Sequence, residues 1–142
     1  MNILIFSHSS GSGGAESALI DFINLLVGKH RVSVMLPDQN GDLVDKLKTM
    51  GIEYGILPFS FSLPNPANSL LQFSNSNIAV LIEQLRAQNY DLVIANTIVT
   101  LPGMLIAREL NTPCMTYAHE YLYNERDLEP HGCSTEFYLQ LV

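Results

Sequence analysis

The stretch Asn2-Ile3-Leu4-Ile5-Phe6-Ser7-His8, followed closely by Gly11-Ser12-Gly13-Gly14-Ala15-Glu16, decides how this chain folds. Ile3 to Phe6 is a short, unbroken apolar run, the pattern of a strand buried on both faces of a parallel sheet. Beyond the glycines, Ala15, Ala18, Leu19, Phe22 and Leu26 recur at helical spacing. A helix therefore starts at the turn, with its first N–H groups pointing back toward the strand end. Such a start, with free N–H groups and the positive end of the helix dipole, suits a phosphate or carboxylate. The same glycines would also serve a merely tight strand-to-helix connection, with Glu16 compensating the dipole in the first turn.

Outward from that unit, strand-like segments at 2–7, 31–36, 52–57, 91–95 and 113–118 alternate with helical patterns at about 15–28, 42–50, 76–89 and 101–110. Gly51 closes the second helix, and Pro102 lies near the first turn of the fourth. Alternation of this kind means right-handed βαβ units. The expected fold is α/β, a Rossmann-like doubly wound parallel sheet forming a single domain over residues 1–142. The stretch from Pro58 to Asn77, with Pro64, Pro66 and many Ser and Asn residues, is too long and irregular for an ordinary connection and reads as a functional or mobile loop. Ser134 to Val142 reads as a capped helix cut off while still apolar, which points to a fragment of a longer protein, the alternative being a C-terminal helix docked on this same domain.

Composition narrows the function. A chain of 142 residues buries a real core without staples. Its apolar runs fall far short of the roughly 20 residues that cross a bilayer. Met1 to Leu4 lacks the features of a secretory signal, so a cytoplasmic location is expected, including a peripheral one at the inner face of a membrane. The formal charge of -7, from 14 acidic against 7 basic residues, argues against nucleic acid and anionic lipid as partners. Lys29, His30 and Arg31 cluster where the first helix should end and read as complements of its dipole. Cys114 and Cys133 are too far apart for a redox or zinc Cys-x-x-Cys pair and read as reduced structural thiols.

In a sheet of order 3-2-1-4-5, ligands bind beyond the carboxyl ends of the central strands. That edge would gather Ser7, His8 and the glycine turn after the first strand, Asn96 and Thr97 after the fourth, and His119 and Glu120 after the fifth. The first and fifth strands would face each other across a sugar-sized gap of roughly 10 Å. Competing motifs lack essential parts. Glu16 stands where a dinucleotide fingerprint needs its third glycine, and no Gly-Lys-Ser/Thr follows. His119-Glu120-Tyr121-Leu122-Tyr123 has Tyr123 where a zinc-protease helix needs its second His, so no metal is expected. No Gly-x-Ser-x-Gly elbow occurs.

Taken together, Asn2 to His8, Gly13-Gly14-Ala15-Glu16 and His30-Arg31-Val32-Ser33-Val34 resemble the N-terminal domain of family 4 retaining glycosyltransferases. Tyr90-Asp91-Leu92-Val93-Ile94-Ala95-Asn96-Thr97 is similar to that family's fourth-strand segment, and Pro113-Cys114-Met115-Thr116-Tyr117-Ala118-His119-Glu120 to its fifth strand ending in the active-site His. The resemblance implies half of a GT-B enzyme, in which two Rossmann-like domains close over a nucleotide sugar and an acceptor without an essential metal or other cofactor. It implies that Gly13 and Gly14 lie near the donor phosphates or the acceptor, and that His119 contacts the donor sugar as the catalytic residue. His8, Glu16, Asn96, Thr97 and Glu120 are the further candidate binding residues.

By the same resemblance the partners are a UDP- or GDP-linked sugar, a glycan, glycolipid or small-molecule acceptor, and a C-terminal domain of the same protein. That second domain supplies the Arg, Lys and Glu-x7-Glu residues that hold the nucleotide, so these 142 residues alone are expected to be inactive. The segments Pro58 to Asn77 and Tyr121 to Pro130 would border the cleft. Their Phe59, Phe61, Phe73, Tyr121 and Tyr123 would stack on sugars or pack in the core. The alternative is a stand-alone Rossmann-like module that binds an anionic small molecule or a partner protein without catalysis.

Overall fold

A computed structural model describes residues 1–58, 78–97 and 100–118. The expected order is the observed one. Five parallel strands, β1 (Asn2–Ser7), β2 (Arg31–Leu36), β3 (Glu53–Ile56), β4 (Leu92–Asn96) and β5 (Cys114–Tyr117), lie side by side as β3-β2-β1-β4-β5. Four helices are described: α1 (Gly14–Leu26), α2 (Asp42–Met50), α3 (Ile78–Ala87) and α4 (Leu101–Leu110). β1 is central, with Ile5 level with Val34 on one side and Ile94 on the other.

Because side chains alternate across a strand, the unbroken apolar run of β1 feeds two cores. Ile3 and Ile5 pack with Val32, Val34, Leu36 and Ile94 against Leu19 and Ile23 of α1 and Leu43, Val44 and Leu47 of α2. Leu4 and Phe6 pack with Met35 and Val93 against Leu85 of α3 and Ile106 and Ala107 of α4. α4 comes especially close to the sheet. A Cβ on Gly103 would stand 2.9 Å from the Cβ of Phe6, so glycine is what lets this helix lie on the central strand.

Helix ends follow their sequence signals. Gly51 at φ +67 donates its N–H to the Lys48 carbonyl while Ile52 donates to Leu47, closing α2 in a Schellman turn. Asn111 at φ +54 closes α4 in the same way through Arg108 and Ala107. α1 differs from expectation. It ends at Leu26, so Lys29, His30 and Arg31 lie beyond it and no basic residue sits in its last turn. Arg31 instead opens β2 and pairs with Glu53 of β3 at 3.0 Å. Among the described residues no helix is long and apolar enough to cross a membrane.

The expected loop at 59–77, the segment 121–130, the terminal helix at 134–142, Cys133, His119 and Glu120 lie outside the described residues.

Candidate functional site

β1 delivers Ser7 and His8 to the carboxyl edge of the sheet, and β4 delivers Asn96 and Thr97 beside them, since Ser7 is level with Asn96. Ser7 is fully buried and its hydroxyl donates to the Ser9 carbonyl at 2.8 Å, turning the chain out of the strand. The chain then passes through Ser10, Gly11 and Ser12 to Gly13, the N-cap of α1, which has extended backbone and no side chain with which to cap. Gly13 therefore gives the first N–H groups of α1, which every helix start leaves without an intrahelical partner, no side-chain cap.

Glu16 fills part of that gap. It lies in the first turn of α1 with a side chain only 7% exposed, and its Oε1 is 3.6 Å from Nε2 of His8. Its other oxygen lies over the cap, where a Cβ on Gly13 would stand 2.5 Å from Oε2. His8 and Glu16, adjacent in space and separated in sequence, thus form one unit against the helix start, with carboxylate and dipole in favourable register. Nδ1 of His8 is buried without a hydrogen-bond partner in the described structure. Gly14 is the opposite case from Gly13: nothing among the described residues lies within 4 Å of the place its Cβ would take. Among the described residues the helix start is open in front of Gly14 and closed by Glu16 at Gly13.

The contrast gives a paired expectation. Gly13→Ala drives a methyl into the Glu16 carboxylate and is expected to lower stability by about 1–2 kcal/mol. Gly14→Ala meets nothing among the described residues and gains helix propensity, so its Tm should equal or exceed that of the parent. Thermal melting of the two variants checks the ordering, and an equal loss in both would contradict the geometry.

Asn96 and Thr97 reach the same edge but are fully buried. Asn96 Nδ2 donates to the Ala15 carbonyl in the first turn of α1 at 3.4 Å. Thr97 has φ +82 and donates its N–H to the Tyr117 carbonyl of β5 at 2.9 Å. Sequence reading missed three residues that shape this edge. Ser10, buried, exchanges hydrogen bonds with the Asp38 backbone after β2. Its carbonyl accepts the Leu43 N–H at the start of α2. Gly41, the N-cap of α2, packs against that same carbonyl, and Thr100 precedes α4 as its N-cap. The dipeptide Asn40-Gly41 and the pattern Thr100-Leu101-Pro102 were signals for two of the three; Ser10 had none.

Charge is distributed unevenly. Lys29 and Arg31 flank the amino end of β2, Arg86 and Arg108 sit in the last turns of α3 and α4, and Lys46 and Lys48 are exposed on α2. No lysine or arginine among the described residues stands at the carboxyl edge beside Gly13 and Gly14. Cys114 in β5 is a free thiol, and partial desolvation pushes it above the ordinary cysteine range against an opposing backbone hydrogen bond at Ala95. It is therefore protonated at neutral pH and a poor nucleophile. No three metal-binding side chains gather among the described residues.

A central β1, a glycine turn into α1, and polar residues on the carboxyl edges of β1 and β4 define a Rossmann-like, doubly wound α/β domain with its site at the switch point. The glycosyltransferase family 4 model matches residues 12–139, and the chain belongs to that family, with the fold of its N-terminal domain. Among solved structures, Anabaena HepE in complex with UDP and glucose is 25% identical with a TM-score of 0.62, over 86% of this chain and 30% of HepE. The same protein with UDP-glucose aligns over 99% of this chain and 34% of its own, at 23% identity and a TM-score of 0.68. The apo lipopolysaccharide outer core galactosyltransferase WaaB shares the fold at 17% identity and a TM-score of 0.60, over 92% of this chain and 37% of WaaB. The chain thus spans about a third of the length of the solved structures it matches. Comparison with curated protein sequences gives no match.

Proposed function

We propose that the full-length protein is a retaining glycosyltransferase that moves a sugar from a UDP- or GDP-linked donor to a glycan, glycolipid or small-molecule acceptor. The domain spanning residues 1–142 forms the acceptor side of its cleft. The observation that carries this reading is the helix start at Gly14, open among the described residues and set beside His8 and Glu16 at the switch point of a family 4 sheet. Donor identity is supported by the HepE complexes with UDP and UDP-glucose, which make a uridine nucleotide the first to test.

In this reading Gly13 and Gly14 let the backbone of α1 approach the donor phosphates or the acceptor. His119 meets the donor sugar at the reacting centre by hydrogen bonding, and His8, Glu16, Asn96, Thr97 and Glu120 shape the surrounding edge. A leaving diphosphate needs preorganised positive charge, and the described edge carries no lysine or arginine. That charge comes from a C-terminal domain of the same protein, and the 142-residue domain alone is inactive.

The test is transfer by the full-length protein, with the anomeric configuration of donor and product read by NMR before it equilibrates. Retention is expected, and inversion would overturn the retaining mechanism. Donor binding without any transfer would favour the non-catalytic module instead.

A further inference from the structure

Asn89, Thr97 and Asn111 are the described non-glycine residues with positive φ. Asparagine tolerates the left-handed region, and Asn111 ends a helix there; a β-branched threonine at φ +82 is strained. Thr97 is held by three bonds. Its N–H reaches the Tyr117 carbonyl of β5 at 2.9 Å, its carbonyl accepts the Thr100 N–H at 3.4 Å, and its Oγ1 lies 3.3 Å from Thr100 Oγ1. Thr100 Oγ1 in turn donates to the Asn96 carbonyl at 2.5 Å, and Asn96 Nδ2 donates to Ala15 at 3.4 Å. Asn96, Thr97 and Thr100 are all fully buried.

These bonds run without a break from the end of β5, through the end of β4 and the start of α4, to the first turn of α1. We propose that Asn96, Thr97 and Thr100 are positioning residues: a buried brace that fixes the end of β5 relative to the glycine turn, with the strain at Thr97 kept for the site rather than for stability. This rests on the transferase reading, because Tyr117 lies two residues before His119 in sequence, so the brace would align the two halves of the reacting edge. Misplacement of a positioned group by even about 1 Å costs roughly a hundredfold in rate. A brace of this kind should therefore act on turnover far more than on folding.

The experiment uses the full-length protein with Thr97→Gly, which relieves the strain and removes the hydroxyl, and Thr97→Ser, which keeps the hydroxyl. Thr97→Gly is expected to melt no lower than the parent. Amide exchange at Ser17, whose N–H is bonded to the Gly13 carbonyl at 2.9 Å, should rise about tenfold, and release of UDP from UDP-glucose or of GDP from GDP-mannose should fall at least about tenfold through kcat rather than KM. Thr97→Ser should restore most of both. Unchanged exchange and turnover in Thr97→Gly would overturn the proposal, as would a fall in Tm that tracks the fall in rate. If the parent turns over no sugar in a panel of UDP- and GDP-linked donors the transferase reading fails, while amide exchange still decides for or against the brace.

Discussion

Gly41→Ala is expected to cost about 3–5 kcal/mol, lowering Tm by roughly 10 °C or more in a domain of this size. Gly41 sits at φ +136 and ψ 163, a region that only glycine enters without strain. Its missing Cβ would also stand 2.0 Å from the Ser10 carbonyl oxygen and 2.6 Å from its carbon, both backbone atoms that no rotamer change can remove. The loop after β1 would have to retreat. It would then lose the Leu43 N–H bond at 3.1 Å and the Ser10 hydroxyl bond to Asp38 at 2.9 Å. Because that loop leads directly to Gly13, the variant should also lose ligand affinity at temperatures where it remains folded. Urea melts of the parent and variant check the size of the effect, and an unchanged midpoint would show that the two loops are not locked together.

His119→Ala in the full-length protein is expected to lower turnover by about a hundredfold or more, the size typical of losing one hydrogen-bonding group aimed at developing charge. Binding of the nucleotide sugar should weaken much less, because uniform binding is carried by groups away from the reacting centre. His119→Asn, which keeps a donor in the side chain, should recover part of the loss. Steady-state kinetics that split kcat from KM separate this role from a structural one, and near-parental turnover in His119→Ala would remove His119 from the catalytic centre.

The burial of β1 was legible in its unbroken apolar run, and the order of the sheet followed from the alternation of strands and helices read as a doubly wound fold. Gly51 and Pro102 marked their helix ends for local reasons, and the structure places both as expected. His8 and Glu16 were each named as candidates, but neither their pairing nor the fold of the Glu16 carboxylate over Gly13 was legible. The least legible features are the long-range bonds. Ser10 meets Asp38 and Asn96 meets Ala15 only because separate strands end side by side, which no local pattern records. The basic cluster at 29–31 misled for a related reason: α1 ends at Leu26, and the charge of Arg31 is answered across the sheet by Glu53.

The most direct measurement is release of nucleoside diphosphate by the full-length protein across a panel of UDP- and GDP-linked sugars, with and without a mixture of glycan and glycolipid acceptors. Turnover of one donor class that rises with an acceptor, and is absent from the 142-residue domain alone, is the predicted result. Saturable binding of a nucleotide sugar by the full-length protein with no turnover of any donor would contradict it and leave a binding module in place of an enzyme.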